Sequence, residues 1–373
     1  MKPTQTAMNY PASKVGDWDA YWRASPLRHL RQRLRHVQLS VPNRKNKAEL
    51  IAASGRFEAL WPDDLPLVCV VRNAAPYMKS FLRYYRQMGV TRFLVVDDRS
   101  DDGTTDILSG APDVDLFGSN VRYAQADRGR AWRDALFDLY GRGRWYLSVD
   151  ADEFFVFPRM EQRDIHSFIR ELEHSGIRRC LAPMIDMYPG GLLRDGAFLD
   201  DGTKYPFEVS SHFDGDGYTA TPERFGVAVR GGPRLRLFGR SMRLSKFPLI
   251  WVDGKTDYRR GSIHGPGPCF RNFLPATGAL LHYRFSSLSV GEFKRIAAEQ
   301  SHAGNAEHYR AIVENERFSD DLSLVYEGSV RYTGPACLVE RGFMADLREA
   351  TPRLKAFSSQ KCERLRGEIS PLD

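Results

Sequence analysis

Asp150 and Asp152 close the apolar run 145–149 and lead directly into Glu153, Phe154 and Phe155. On an extended segment, side chains two apart point to the same side. Two carboxylates held that close repel one another unless a cation lies between them, and a hard divalent ion such as Mg2+ or Mn2+ takes oxygen ligands of this kind. The pair therefore reads as a metal site at a strand end. An isolated Asp-x-Asp is more often a solvated acidic turn, so the reading rests on where the other polar clusters fall.

Upstream, Asp97 and Asp98 follow the apolar run 93–96, in a segment that continues through Ser100, Asp101, Asp102, Gly103 and Thr104. Earlier still, the run 67–71 ends in Arg72 and Asn73. Between these, Tyr77, Phe81, Tyr84, Tyr85 and Met88 recur at three- and four-residue steps, which predicts a helix over 75–88 stopped by Gly89. The order strand, helix, strand, turn, helix, acid-ended strand predicts a parallel sheet with right-handed crossovers, whose ligands collect beyond the carboxyl ends of the strands. All three clusters fall at such ends.

Together, Val70-Val71-Arg72-Asn73, the segment 95–104 and Val149-Asp150-Ala151-Asp152-Glu153-Phe154 resemble, in order and spacing, the motifs of glycosyltransferase family 2. The resemblance covers about residues 67–157; farther on, Leu280-Leu281-His282-Tyr283-Arg284 is similar to the His-Tyr segment that closes the catalytic domain in one bacterial branch. Ala74 stands where many members carry Glu. The resemblance implies an α/β fold of GT-A type, a Rossmann-like, mostly parallel sheet flanked by helices, with helical N- and C-terminal extensions. It implies inverting transfer of a sugar from a UDP- or GDP-type donor to a glycan, lipid-linked or other hydroxyl acceptor. Asp98 is then expected at the donor base or ribose, with Arg72 and Asn73 beside it. Asp150 and Asp152 are expected to hold the diphosphate through Mn2+ or Mg2+, with His282 as third ligand and His264 as second choice.

The chemistry suits those residue types. Charge gathers on a departing diphosphate, and a metal clamped between carboxylates and phosphate oxygens neutralises it as it develops. Inversion needs a carboxylate to take the acceptor proton; Asp186, which ends the strand-like run 180–185, is the first candidate and Glu153 the second, with Asp253 and Asp257 open. Arg128 and Arg130 precede a helix and could meet phosphate, as could Lys246.

At 373 residues the chain can bury a substantial core, and one large domain with extensions is expected: a basic helical extension over 1–64, a catalytic domain over 65–285 and a helical region over 286–373. No apolar run approaches the roughly twenty residues that span a bilayer, and the N-terminus lacks a signal-peptide core, so a cytoplasmic protein is expected. The five cysteines are scattered without a Cys-x-x-Cys, which indicates neither a zinc cluster nor a disulfide framework. A net charge of +7 favours acidic partners. Over 17–40, Arg23, Arg28, Arg31, Arg33 and Arg35 interleave with Trp18, Tyr21, Trp22, Leu30 and Leu34. Such a segment suits peripheral contact with an anionic inner-membrane face, or an accessory helix packed on the catalytic domain. No nucleic-acid motif accompanies the charge, and no nucleic-acid partner is expected.

Beyond the acidic pair, a helix is expected over 158–175, then a long irregular acceptor-side stretch over 195–268 with short strands at 234–238 and 247–252, and helices again from 288. Two rival classes differ by cheap signs. A sugar-nucleotide nucleotidyltransferase would carry a glycine-rich loop after the first strand, and residues 72–76 contain no glycine. A non-catalytic protein retaining the fold would have lost one acidic cluster, and both are intact.

Overall fold

The computed structural model describes residues 7–12, 49–299 and 306–348. The basic segment 17–40, Cys362 and the polar tail from Pro352 lie outside the described residues. In chain order, the first elements are β1 (Met8–Tyr10), β2 (Leu50–Ser54), β3 (Pro66–Val71), α1 (Ala75–Met88), β4 (Arg92–Asp97), α2 (Thr104–Ser109), β5 (Val114–Ser119), α3 (Arg130–Tyr140) and β6 (Arg144–Ser148). The chain then forms β7 (Glu153–Val156), α4 (Ile165–His174), β8 (Ala182–Asp186), β9 (His212–Asp214), β10 (Tyr218–Glu223), β11 (Gly226–Arg230) and α5 (Gly232–Phe238). After these come β12 (Ser245–Lys246), β13 (Leu249–Val252), β14 (Asp257–Ser262), β15 (Gly265–Gly267), β16 (Ala279–His282), α6 (Ser289–Glu299), α7 (Glu307–Val313), β17 (Ser329–Arg331) and α8 (Pro335–Glu340).

The fold is α/β, with a Rossmann-like six-stranded sheet of order β13-β6-β3-β4-β5-β2. Its four central strands run parallel, and β2 and β13 close the edges antiparallel. The apolar runs that mark β3 and β4 are continuous because both faces are covered. Leu67, Cys69, Val71, Phe93 and Val95 pack in one core with Met78, Phe81 and Tyr85 of α1. Their neighbours Val68, Leu94 and Val96 pack in a second core with Trp132, Leu136 and Phe137 of α3. Alternation along the strand thus divides each run between two helical layers. α1 ends where expected: Gly89 takes φ 113, and its N–H closes on the Tyr85 and Arg86 carbonyls.

Four readings are corrected. A fifth element of the sheet, β5, was not anticipated: Asp115 interrupts its apolar pattern, yet is buried against Arg92, the Tyr140 hydroxyl and two backbone N–H groups. Residues 234–238 form helix, not strand; Pro233 sits in its first turn and Gly239 caps it in the left-handed region. The stretch 195–268 is not irregular, since it supplies β9 to β15, among them β10 and β11, which form a sheet with β1. The helix expected over 158–175 begins only at Ile165, after Asp164 accepts the Ser167 N–H as N-cap.

A second sheet, β12-β8-β16-β7, is interleaved in sequence with the first, since β13 falls between β12 and β16. The chain passes from β6 in one sheet to β7 in the other through residues 149–152. α6 and α7 form a third cluster around Phe293, Ile296, Tyr309 and Ile312. Among the described residues, no helix is long and apolar enough to cross a membrane.

Candidate functional site

The strand order places β3 at the centre, with β4 and β5 to one side and β6 to the other. The chain therefore switches direction between β3 and β6, and a crevice opens at their carboxyl ends. Arg72 and Asn73 leave β3 there, Asp98 leaves β4, and Asp150 and Asp152 leave β6. Backbone strain concentrates on the same rim: Asn73, Arg99, Asp127 and Arg128 all take positive φ, a conformation uncommon for residues with a Cβ.

Most of the acidic segment 97–102 is committed to its own loop. Asp97 accepts from the Ser100 N–H and hydroxyl, Asp101 from Asn73 Nδ2, and Asp102 from the Thr104 and Ala75 N–H groups. Asn73 is thus a loop clamp. Asp98 differs: it is 5 % exposed, and Oδ1 has no hydrogen-bond partner although Arg122 Nε lies 3.1 Å away. Burial raises the Asp98 pKa, offset in part by Arg122. Arg72 pairs with Glu299 at 2.7 Å, tying the rim to α6. Arg130 donates to the Asp127 carbonyl at 2.8 Å and supports the turn before α3.

The Asp150–Asp152 pair is met by cations of the protein itself. Asp150 Oδ1 takes Arg133 at 2.7 Å and Oδ2 takes Lys246 Nζ at 2.5 Å. Although burial pushes it up, Lys246 and Arg133 hold the Asp150 carboxyl at about 2. Asp152 Oδ2 takes Arg284 at 3.0 Å and lies 3.5 Å from His282 Nε2, and together these hold its carboxyl well below the usual range against burial. Glu153, fully buried, accepts the Asp150 N–H at 3.0 Å and Lys246 at 2.5 Å. Repulsion between the two aspartates therefore does not by itself demand a divalent ion.

Strand register explains why His282 reaches this cluster. In the second sheet it pairs with Glu153 on one side and Asp186 on the other, so three polar side chains share one row across β7, β16 and β8. His282 Nδ1 lies 2.6 Å from Asp186 Oδ1, and Arg234 reaches the same oxygen at 2.6 Å. Burial lowers the His282 pKa, but Asp152 and Asp186 outweigh it and the net shift is upward. Arg234 and His282 likewise lower Asp186 against its burial.

The expected base candidates occupy poor positions for meeting an acceptor. Asp186 and Glu153 are each 0 % exposed and bonded to cations. Asp253 follows Val252, which pairs with Arg144 at the start of β6, so it lies at the opposite end of the strands from Asp150 and binds Arg271. Asp257 opens β14 opposite Gly267. His264 bonds to the Ser245 carbonyl at 3.1 Å, and burial with Lys246 and Arg243 nearby lowers its pKa to about 3. It is His282, not His264, that stands against Asp152.

Among the described residues, no three His, Cys, Asp or Glu side chains converge tightly enough to cage a metal. What is present is a pair, Asp152 with His282, and the more exposed Asp150 beside it, whose side chain is 35 % accessible. Asp152 Oδ1 takes part in none of the bonds above. A mixed oxygen and imidazole set of this size fits an ion such as Mn2+ that completes its shell with phosphate oxygens and water. A groove lined by Lys79, Leu82, Arg86, Ile107 and Asp113 lies between α1 and α2 and holds none of these residues.

No family model matches the chain, and no curated protein matches it. Among solved structures, 4-diphosphocytidyl-2C-methyl-D-erythritol synthase aligns over 52% of this chain and 76% of its own, with 15% identity and a TM-score of 0.26. The mannosyltransferase Ktr4p from S. cerevisiae aligns over 44% of this chain and half of its own, with 11% identity and a TM-score of 0.21. Likeness this slight does not bear on what the chain does.

Proposed function

We propose that this protein is a GT-A-type glycosyltransferase that moves a sugar from a nucleoside-diphosphate sugar to a hydroxyl acceptor with the help of Mn2+ or Mg2+. The observation that carries the reading is the placement of Asp150 and Asp152 at the carboxyl end of β6, in the crevice at the switch point, with His282 directed at Asp152. Asp98, buried with one oxygen that faces Arg122 but accepts no hydrogen bond, suits an N–H of the base or a ribose hydroxyl. Asp152 and His282, with Asp150 beside them, would hold the metal, which when bound neutralises charge on the departing diphosphate. Arg133 and Lys246 keep Asp150 ionised and fixed. Lys246, with Arg130 on the rim, adds positive charge where phosphate would lie.

The rival reading, nucleotidyl transfer, needs free backbone N–H groups after the first strand to cradle phosphates. Here those groups are taken: Asn73 N–H goes to the Ser100 hydroxyl, Ala74 N–H to Thr104 and Ala75 N–H to Asp102. Sugar transfer is therefore preferred. Incubation with UDP- and GDP-sugars and Mn2+ should release the nucleoside diphosphate, slowly by hydrolysis and faster with acceptor. Release of inorganic pyrophosphate from a nucleoside triphosphate and a sugar phosphate, with no nucleoside diphosphate from any sugar nucleotide, would instead establish the rival.

A further inference from the structure

We propose that Asp186 is a positioning residue which, clamped by Arg234, fixes the ring and tautomer of His282 so that Nε2 presents its lone pair to a cation shared with Asp152. The inference rests on the metal-assisted reading above and replaces a proton-accepting role for Asp186. His282 Nδ1 and Arg234 both lie 2.6 Å from Asp186 Oδ1. An arginine can only donate and an ionised carboxylate can only accept, so the neutral imidazole must carry its proton on Nδ1. Although Arg234 also lies 3.0 Å from Nδ1, its shorter bond is to the carboxylate.

In that neutral form the opposite ring nitrogen, Nε2, 3.5 Å from Asp152 Oδ2, is unprotonated. Without a cation the two flanking carboxylates favour the doubly protonated ring, and a bound cation would take the place of the Nε2 proton. A carboxylate on one imidazole nitrogen with a cation on the other is how metal-bound histidines are generally oriented and made more basic. The geometry is built into the sheet: His282 and Asp186 are register partners of β16 and β8. Full burial of Asp186 and near-full burial of Arg234 and His282 leave the ring little freedom to flip. Asp186 itself has no path to an acceptor hydroxyl, which separates this role from general-base catalysis.

Mn2+ uptake can be followed by loss of the free-ion EPR signal, with UDP or GDP present, in wild type, Asp186→Asn and His282→Gln. Asp186→Asn should weaken Mn2+ binding by about 10- to 100-fold while leaving metal-free nucleotide affinity unchanged, a split that general loss of structure would not give. Because that variant also leaves Arg234 without its carboxylate and could fold poorly, wild type supplies an independent readout. Its 15N NMR spectrum, with His282 assigned by difference from His282→Gln, should show the neutral ring protonated on Nδ1. Wild type that takes up no Mn2+ with either nucleotide defeats the metal reading and this inference with it. Wild type that binds Mn2+ while Asp186→Asn binds it equally well, or a neutral His282 protonated on Nε2, overturns the inference alone.

Discussion

Asp150 and Asp152 owe their ionised state to four side chains from three parts of the chain: Arg133 and Lys246 on the first, His282 and Arg284 on the second. Lys246 also neutralises Glu153, which has no access to water. Lys246→Met should therefore leave a buried carboxylate uncompensated and cost on the order of 3–5 kcal/mol in urea unfolding; a loss under about 1 kcal/mol would mean that the pair behaves as a solvated surface contact. His264 gives a pH-dependent counterpart. An unfolded chain protonates His264 below about pH 6.5, whereas the folded protein resists protonation down to about pH 3. The unfolded state binds more protons across that window, so this group's contribution is lost as pH falls through it. His264→Gln should flatten the decline of the denaturation midpoint between about pH 7 and pH 4, and an unchanged slope would remove His264 as its source. At this scale the sequence showed which acids cluster, because they are adjacent. Arg133 and Arg234 were not legible: nothing in a chain with 54 lysines and arginines marks which of them will be buried against a carboxylate.

At the scale of elements, one glycine transmits structure to the site. Gly129 takes φ 72 just before α3, and a Cβ there would fall 2.9 Å from an Arg133 guanidinium nitrogen and 3.1 Å from the Tyr123 ring. Gly129→Ala should cost about 1–2 kcal/mol from the left-handed backbone alone and should also displace Arg133 from Asp150, lowering transfer. Asp164→Ala makes the control: removing the N-cap of α4 should cost about 1 kcal/mol with transfer unchanged. If both variants lose transfer in proportion to stability, Gly129 has no special link to the site. Elements were legible where a local pattern and a punctuating residue agreed, as in α1, read from its apolar spacing and Gly89. They were illegible where tertiary partners override the local pattern. Asp115 disguises β5 because its three partners, Arg92, Tyr140 and the turn at Arg56 and Phe57, are not adjacent in sequence. α5 was masked by the alternation of Arg and Leu over 234–237, a strand-like period that Pro233 and Gly239 overrule.

In the whole molecule, the acidic pair sits where the chain leaves one sheet and enters another, so ligands at the crevice draw on both. The first sheet supplies Asp98 and the Asp150 turn; the second supplies Lys246, Asp186 and His282; α6 supplies Glu292, which shares Arg284 with Asp152. The switch-point crevice followed from the order of patterns along the chain, but the second sheet did not, because its strands β7, β8, β12 and β16 are gathered from distant segments and its register is set by three-dimensional pairing. The direct test of the account is calorimetric titration of UDP and GDP into metal-stripped protein, with and without Mn2+, for wild type and Asp152→Asn. One nucleotide should bind wild type at least about tenfold more tightly with Mn2+, equivalent to about 1.4 kcal/mol, and Asp152→Asn should abolish that gain while keeping a cooperative unfolding transition. Equal affinity with and without Mn2+, or a Mn2+ gain that survives Asp152→Asn, would contradict the assignment of Asp152 as the carboxylate that joins a metal to the donor diphosphate.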